Sequence, residues 1–202
     1  MKKIIVGITG ASGSVYAIDL VQALLDAAAE VHLIISDLGA QVLAHEFKTD
    51  DDAELFHAMR VKTGTGATMI IHSVHDMFAP VASGSFQADA MVIIPCSMKT
   101  LASVALGYTT NLLERAADVT LKEKRPLILV TRESPLSRVH LTNMLKAHDA
   151  GATIMPASPG FYQHPRTIQD LVDSVVARVL DHLKIASDLI RRWGAEHDGG
   201  QT

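Results

Sequence analysis

The sequence predicts an α/β fold: a three-layer sandwich in which a mostly parallel sheet is covered by helices on both faces. Three observations carry that expectation. Apolar runs of strand length recur at KIIVGIT (3–9), VHLIIS (31–36), ADAMVIIPCS (88–97), PLILVT (126–131) and ATIMPA (152–157). Between them, apolar residues return three and four positions apart, the spacing of a helix face. The runs also lack polar alternation, which is the mark of strands buried on both sides.

Taken in order, the first strand passes into a helix over 14–28, with Val15, Ile18, Val21, Leu24, Leu25 and Ala28 on one face. The second strand leads to a helix carrying Leu38, Val42 and Leu43. The stretch TDDDAELFHAM (49–59) reads as a short helix whose acidic first turn complements its dipole. KTGTGAT (62–68) reads as a turn, and TMIIHS (68–73) as a short strand. After the strand ending near Pro95 come helices over 98–107 and 111–124, the strand PLILVT, a helix over 136–149 and the strand ATIMPA. A final helix places Ile168, Leu171, Val172, Val175, Val176, Val179 and Leu183 three and four apart. No internal repeat and no dividing linker is visible. The expected organisation is a single α/β domain over 1–185 and a helical tail over 186–202 that holds Trp193 and ends in the polar AEHDGGQT.

Composition narrows the function. The chain has 202 residues, 48% of them hydrophobic, enough for one substantial core. A net charge of −4 and a pI near 6.2 give no electrostatic reason to expect nucleic acid or an acidic membrane as partner. A small anionic ligand held by local positive groups suits the balance better. No apolar window reaches the ~18–20 residues that span a bilayer. The opening apolar stretch is broken by glycines and lacks a cleavage site, so it reads as a strand and not as a signal peptide. Cys96 is the sole cysteine, which excludes an internal disulfide and points to a reducing cytoplasm.

In parallel sheets of this kind, ligands bind beyond the carboxyl ends of the strands. Those ends are TGASG (9–13), ISDLG (35–39), PCSMK (95–99), TRESP (131–135) and PASPGFY (156–162), all rich in hydroxyls, glycine or charge. GITGASG (7–13) has a glycine every third residue at a strand-to-helix turn, a setting where backbone can approach a phosphate and helix N–H groups favour an anion. Its spacing is not G-x-G-x-x-G, and Ser36 precedes Asp37 at the next strand end, so a mononucleotide is expected over a dinucleotide. Cys96 reads as a small buried residue, because no base partner lies near it in sequence. Arg115 and Lys122 are seven apart and share a helix face, which either converges on a phosphate or is a solvated face paired with Glu114 and Glu123. Arg132 and Glu133 put a base and an acid side by side at a strand end, suited to anion binding and proton transfer. His72, His75 and Asp76 lie around a loop without a further ligand of metal-binding spacing.

Over nearly its whole length the chain resembles the UbiX-type flavin prenyltransferases, within the group of homo-oligomeric flavin-containing decarboxylase-like proteins. The resemblance runs through GITGASG, VHLIIS, APVASGSF, MVIIPCSMKTLASVALG, the stretch from NLLERAADV to GFYQHP, and TIQDLVDSVVARVLDHL, but finds no motif over about 48–75. It implies a Rossmann-like or flavodoxin-like fold and the joining of a dimethylallyl group from dimethylallyl monophosphate to reduced FMN, without a metal. The product is prenylated FMN, passed to a UbiD-type decarboxylase. By matching motif, Gly10, Ala11 and Ser12 would line the flavin, with Ser36, Ser97, Met98, Lys99, Thr100 and Arg132 completing the FMN site. Lys122, Tyr162 and Arg178, supported by Arg115, would hold the prenyl phosphate. Glu133 would relay a proton to the leaving phosphate, Ser12 would sit near the reacting nitrogen, and Glu46 would be a second acid. The family's dodecameric assembly implies that some of these residues come from neighbouring subunits. Two other readings belong beside this one: a flavin-dependent decarboxylase of a cysteine substrate, whose PxMNxxMW-like stretch is replaced here by MPASPGFY, and a flavin carrier without catalysis.

Overall fold

A computed structural model describes residues 1–48 and 67–190. Within them lie six strands and six α-helices, in the order β1 (Lys3–Ile8), α1 (Ser14–Asp26), β2 (Glu30–Ile35), α2 (Asp37–Phe47), β3 (Thr68–His72), β4 (Ala90–Cys96), α3 (Met98–Leu106), α4 (Leu112–Lys122), β5 (Leu127–Thr131), α5 (Arg138–Asp149), β6 (Thr153–Pro156) and α6 (Ile168–His182). The expected helix over 49–59, most of the turn before β3 and Trp193 lie outside the described residues. Residues 186–190 carry no helix, and the rest of the expected tail also lies outside the description.

The strands form one sheet in the order β3-β2-β1-β4-β5-β6, every neighbouring pair parallel. This is the Rossmann order; without the short edge strand β3, the remaining five follow the flavodoxin order. Both orders place a switch point between β1 and β4, where successive connections leave in opposite directions. Alternate side chains feed two cores, as a period of two requires. Ile4, Val6, Val92 and Val130 face α1, α2 and α6, whereas Ile5, Met91, Ile93 and Leu129 face α3, α4 and α5. At ~25 cal/mol per Å2 of apolar surface, each fully buried Ile or Leu contributes roughly 1.5–3 kcal/mol.

Helix starts follow local chemistry. Ser36, Ser97, Asn111, Ser137 and Thr167 each accept a hydrogen bond from the backbone N–H three residues on, which satisfies one of the open donors of a first turn. α4 starts one residue and α5 two residues later than the sequence predicts, because the capping residues Asn111 and Ser137 stand outside their helices, while α1, α3 and α4 end one or two residues short of the expected bounds. The stripe of α6 makes core contact only from Val172 onward: Ile168, in the first turn, is exposed. Leu38 is likewise exposed, and α2 anchors to the core through Leu43.

Candidate active site

The switch point holds a cleft of about 300 Å3, bounded by Gly10 beyond β1, Ser36–Leu38 at the start of α2, Ser97, Lys99 and Thr100 at the start of α3, and Glu114 on α4. Thr9, 1% exposed, ties its floor together: its hydroxyl donates to Pro95 O at 2.7 Å and accepts from Ser97 N at 2.8 Å. The ends of β1 and β4 are thereby locked side by side. Thr9 had no distinguishing signal in the sequence beyond being the first polar residue after an apolar run. Two helices aim their N-termini at the same space, each with its capping hydroxyl: Ser36 Oγ accepts from Gly39 N at 3.1 Å, and Ser97 Oγ accepts from Thr100 N at 3.3 Å. Converging N-termini favour an anion. Leu38, Val74 and Leu113 supply apolar wall, so the cleft offers an apolar slot with a polar, anion-favouring rim.

The start of α1 is organised differently from the expectation that its N–H groups await a ligand phosphate. Gly13 takes φ 108°, a left-handed conformation that costs glycine little, and has no side chain to cap the helix. The Glu46 carboxylate does so instead: Oε1 accepts from Gly13 N and Oε2 from Ser14 N, both at 2.8 Å. Burial works to raise the Glu46 carboxyl, but hydrogen bonds from the Ser12 hydroxyl and from those two N–H groups outweigh it and hold the carboxyl below its usual range. The anion at this helix end is therefore the chain's own. Glu46 and Ser12, two expected site residues far apart in sequence, meet here.

On the solvated-face alternative, Glu114 would pair with the basic residues of its own helix. It is 2% exposed and pairs with the Lys99 ammonium, while Thr110 donates to it from N at 2.8 Å and from Oγ1 at 2.7 Å. Burial alone would raise its carboxyl; Lys99 and Thr110 overcome this and lower it. Arg115 turns to Asp118 and to Ala82 O, and Lys122 pairs with Glu123.

Arg132 donates from Nε to Ser12 O at 3.0 Å, which brings the end of β5 to the turn after β1. Glu133 beside it is exposed, its Oε1 accepting from Ser134 N at 3.0 Å. Cys96 is fully buried and its thiol is pushed up to about 12 by burial, which leaves it without thiolate at neutral pH. His75 pairs with Asp37 at the cleft rim at 3.0 Å, and His72 Nε2 lies 2.8 Å from His32 Nδ1. Met98, the first residue of α3, is partly buried against the core of that face.

The four residues expected to hold a prenyl phosphate do not converge within one chain. Arg115 and Lys122 are on α4, on one face of the sheet. Tyr162 and Arg178 line a second cavity of about 450 Å3 between the end of β6 and α6, on the opposite face.

Comparison with known proteins bears on this arrangement. The family model described as Flavoprotein matches residues 1–180. The chain is 51% identical over 199 residues to flavin prenyltransferase UbiX of Halalkalibacterium halodurans, covering 96% of this chain and 94% of the relative. It superposes with a TM-score of 0.85 at 41% identity on a UbiX protein crystallised with FMN and dimethylallyl pyrophosphate, covering 95% of this chain and 97% of that one. A dodecameric FMN-dependent UbiX-like decarboxylase from Escherichia coli O157:H7 gives 0.84 at 44% identity, covering 95% and 98%.

Proposed function

The chain belongs to the Flavoprotein family, and from that membership together with its likeness to the UbiX enzymes we infer that it is a flavin prenyltransferase acting on reduced FMN. The observation that carries this reading is the cleft between β1 and β4. Its apolar walls suit a flat aromatic ring, and its two capped helix N-termini with Lys99 suit a phosphate-bearing end. The residues present fit FMN: Gly10, Ala11 and Ser12 would flank the ring, while Ser36, Ser97, Met98, Thr100 and Arg132 would complete the binding surface.

When bound and reduced, FMN supplies the nucleophilic ring atoms that accept the dimethylallyl group. The chain's residues have the remaining tasks. Arg115, Lys122, Tyr162 and Arg178 bind the phosphate of dimethylallyl monophosphate and offset the charge that grows on it as the carbon–oxygen bond breaks. Glu133, exposed at a strand end, delivers a proton to that leaving phosphate. Glu46 holds Ser12 in position through its hydroxyl.

Support for a site shared between subunits comes from the placement of the phosphate residues on opposite faces of the sheet, and from the dodecameric relative. A homododecamer in the cytoplasm, passing prenylated FMN to a UbiD-type decarboxylase, completes the proposal.

The test is anaerobic: protein, reduced FMN and dimethylallyl monophosphate, then mass spectrometry of the extracted flavin. A gain of one prenyl unit is expected; unmodified FMN from folded, loaded protein overturns the reading in favour of a carrier. In the same assay Glu133→Gln is expected to keep FMN but lose turnover by at least ~100-fold, the usual contribution of a positioned general acid. Full turnover would remove Glu133 from that role.

A further inference from the structure

Among the described residues lining the cleft, Lys99 is the one cation, and its side chain is 67% exposed. A lysine this free spreads over many rotamers and loses side-chain entropy when fixed. Glu114 removes that freedom. A buried carboxylate is costly unless paired and hydrogen-bonded, and Glu114 is both: one oxygen takes Lys99 Nζ, the other takes the N–H and hydroxyl of Thr110. Its own N–H donates to the Asn111 cap at 3.0 Å, so backbone and side chain are fixed independently. An ammonium has three donors. One is spent on Glu114, and the others remain for a ligand.

We propose that Glu114 is a positioning residue for cofactor binding: it pins the Lys99 ammonium to the cleft wall facing Gly10, Ser36 and Ser97, where the phosphate-bearing end of FMN is received. This rests on the FMN reading above. The sign of the effect makes it testable. Glu114 is a negative charge beside an anion site, so by Coulomb's law alone its removal strengthens FMN binding. Loss of positioning weakens it.

The measurement is the Kd of the apoprotein for oxidised FMN and for riboflavin, which lacks the phosphate, by quenching of flavin fluorescence. Glu114→Gln is expected to weaken FMN about tenfold, equivalent to ~1.4 kcal/mol, and to leave riboflavin nearly unchanged. In a Lys99→Met background the same substitution should leave FMN unchanged or bound more tightly. Unchanged or tighter FMN binding in Glu114→Gln alone overturns the proposal, as does equal weakening in both backgrounds or equal weakening of riboflavin. Should Glu114→Gln fail to fold, Glu114→Asp keeps the charge but withdraws it from Lys99; weaker FMN with riboflavin unmoved is expected, and unchanged FMN overturns the proposal. A wild-type protein that binds no FMN would sink the flavin reading itself, whereas a wild type that binds FMN with indifferent Glu114 variants sinks this inference alone.

Discussion

Glu46 joins two tasks in one carboxylate, capping α1 and holding the Ser12 hydroxyl. Its folded pKa is depressed below the ordinary value of 4.5, so the stability it contributes is present above that value and is lost as pH falls through the lower folded value. Glu46→Gln keeps one acceptor and puts an N–H against the other donor. It is expected to cost about 1–2 kcal/mol at neutral pH, the scale of a lost N-terminal cap, with the gap to wild type closing as pH drops below about 4.5. Thermal melts across pH 3–7 check this, and a gap independent of pH would mean that the carboxylate charge contributes nothing. Sequence reading could mark Gly10, Ser12, Ser36, Ser97, Lys99 and Thr100 through their motifs, and Glu46 only through the family resemblance. It could not mark Glu114, because its partner Lys99 is fifteen residues away on another helix and the charges adjacent in sequence were more obvious candidates.

At the scale of elements, α2 meets the end of β1 through a glycine. A Cβ on Gly39 would lie 2.7 Å from Ile8 O and 3.0 Å from Ser36 Oγ, against backbone that has no room to give. Gly39→Ala is expected to push the start of α2 away from the sheet, costing ~1–3 kcal/mol as overpacking does and weakening FMN together with the displaced Ser36. Melting temperature and flavin titration measure both; an unchanged Kd would show that Ser36 holds its place without this close approach. The elements themselves were legible because buried parallel strands are continuously apolar and helix starts carry Ser, Thr or Asn caps. What local pattern could not supply is the detail set by tertiary context. The exposure of Ile168 and Leu38 depends on where a helix overhangs the sheet, and the tie made by Thr9 depends on β1 and β4 lying side by side.

For the whole molecule, the alternation of strands and helices identified the layers but not the strand order, since a parallel strand carries no local mark of its neighbour. The order matters, because it sets the cleft at β1/β4 and puts α4 and α6 on opposite faces. On the proposed assignment, Arg115→Ala and Arg178→Ala each abolish prenyl transfer. Mixing the two inactive proteins after dissociation and reassembly should then recover part of the wild-type rate, since a hybrid contains sites with both arginines intact. No recovery in verified hybrids would place both arginines in one subunit's site.

On the proposed assignment, the separation of α4 from α6 by the thickness of the sheet also makes chemistry conditional on encounter. On the same assignment a newly released chain can load flavin in its own cleft, but it has no complete means of ionising the allylic phosphate. Its turnover then rises more steeply than first order in protein as copies meet and levels off once they are assembled. On that assignment a lone chain is protected by geometry from wasting its prenyl donor on water.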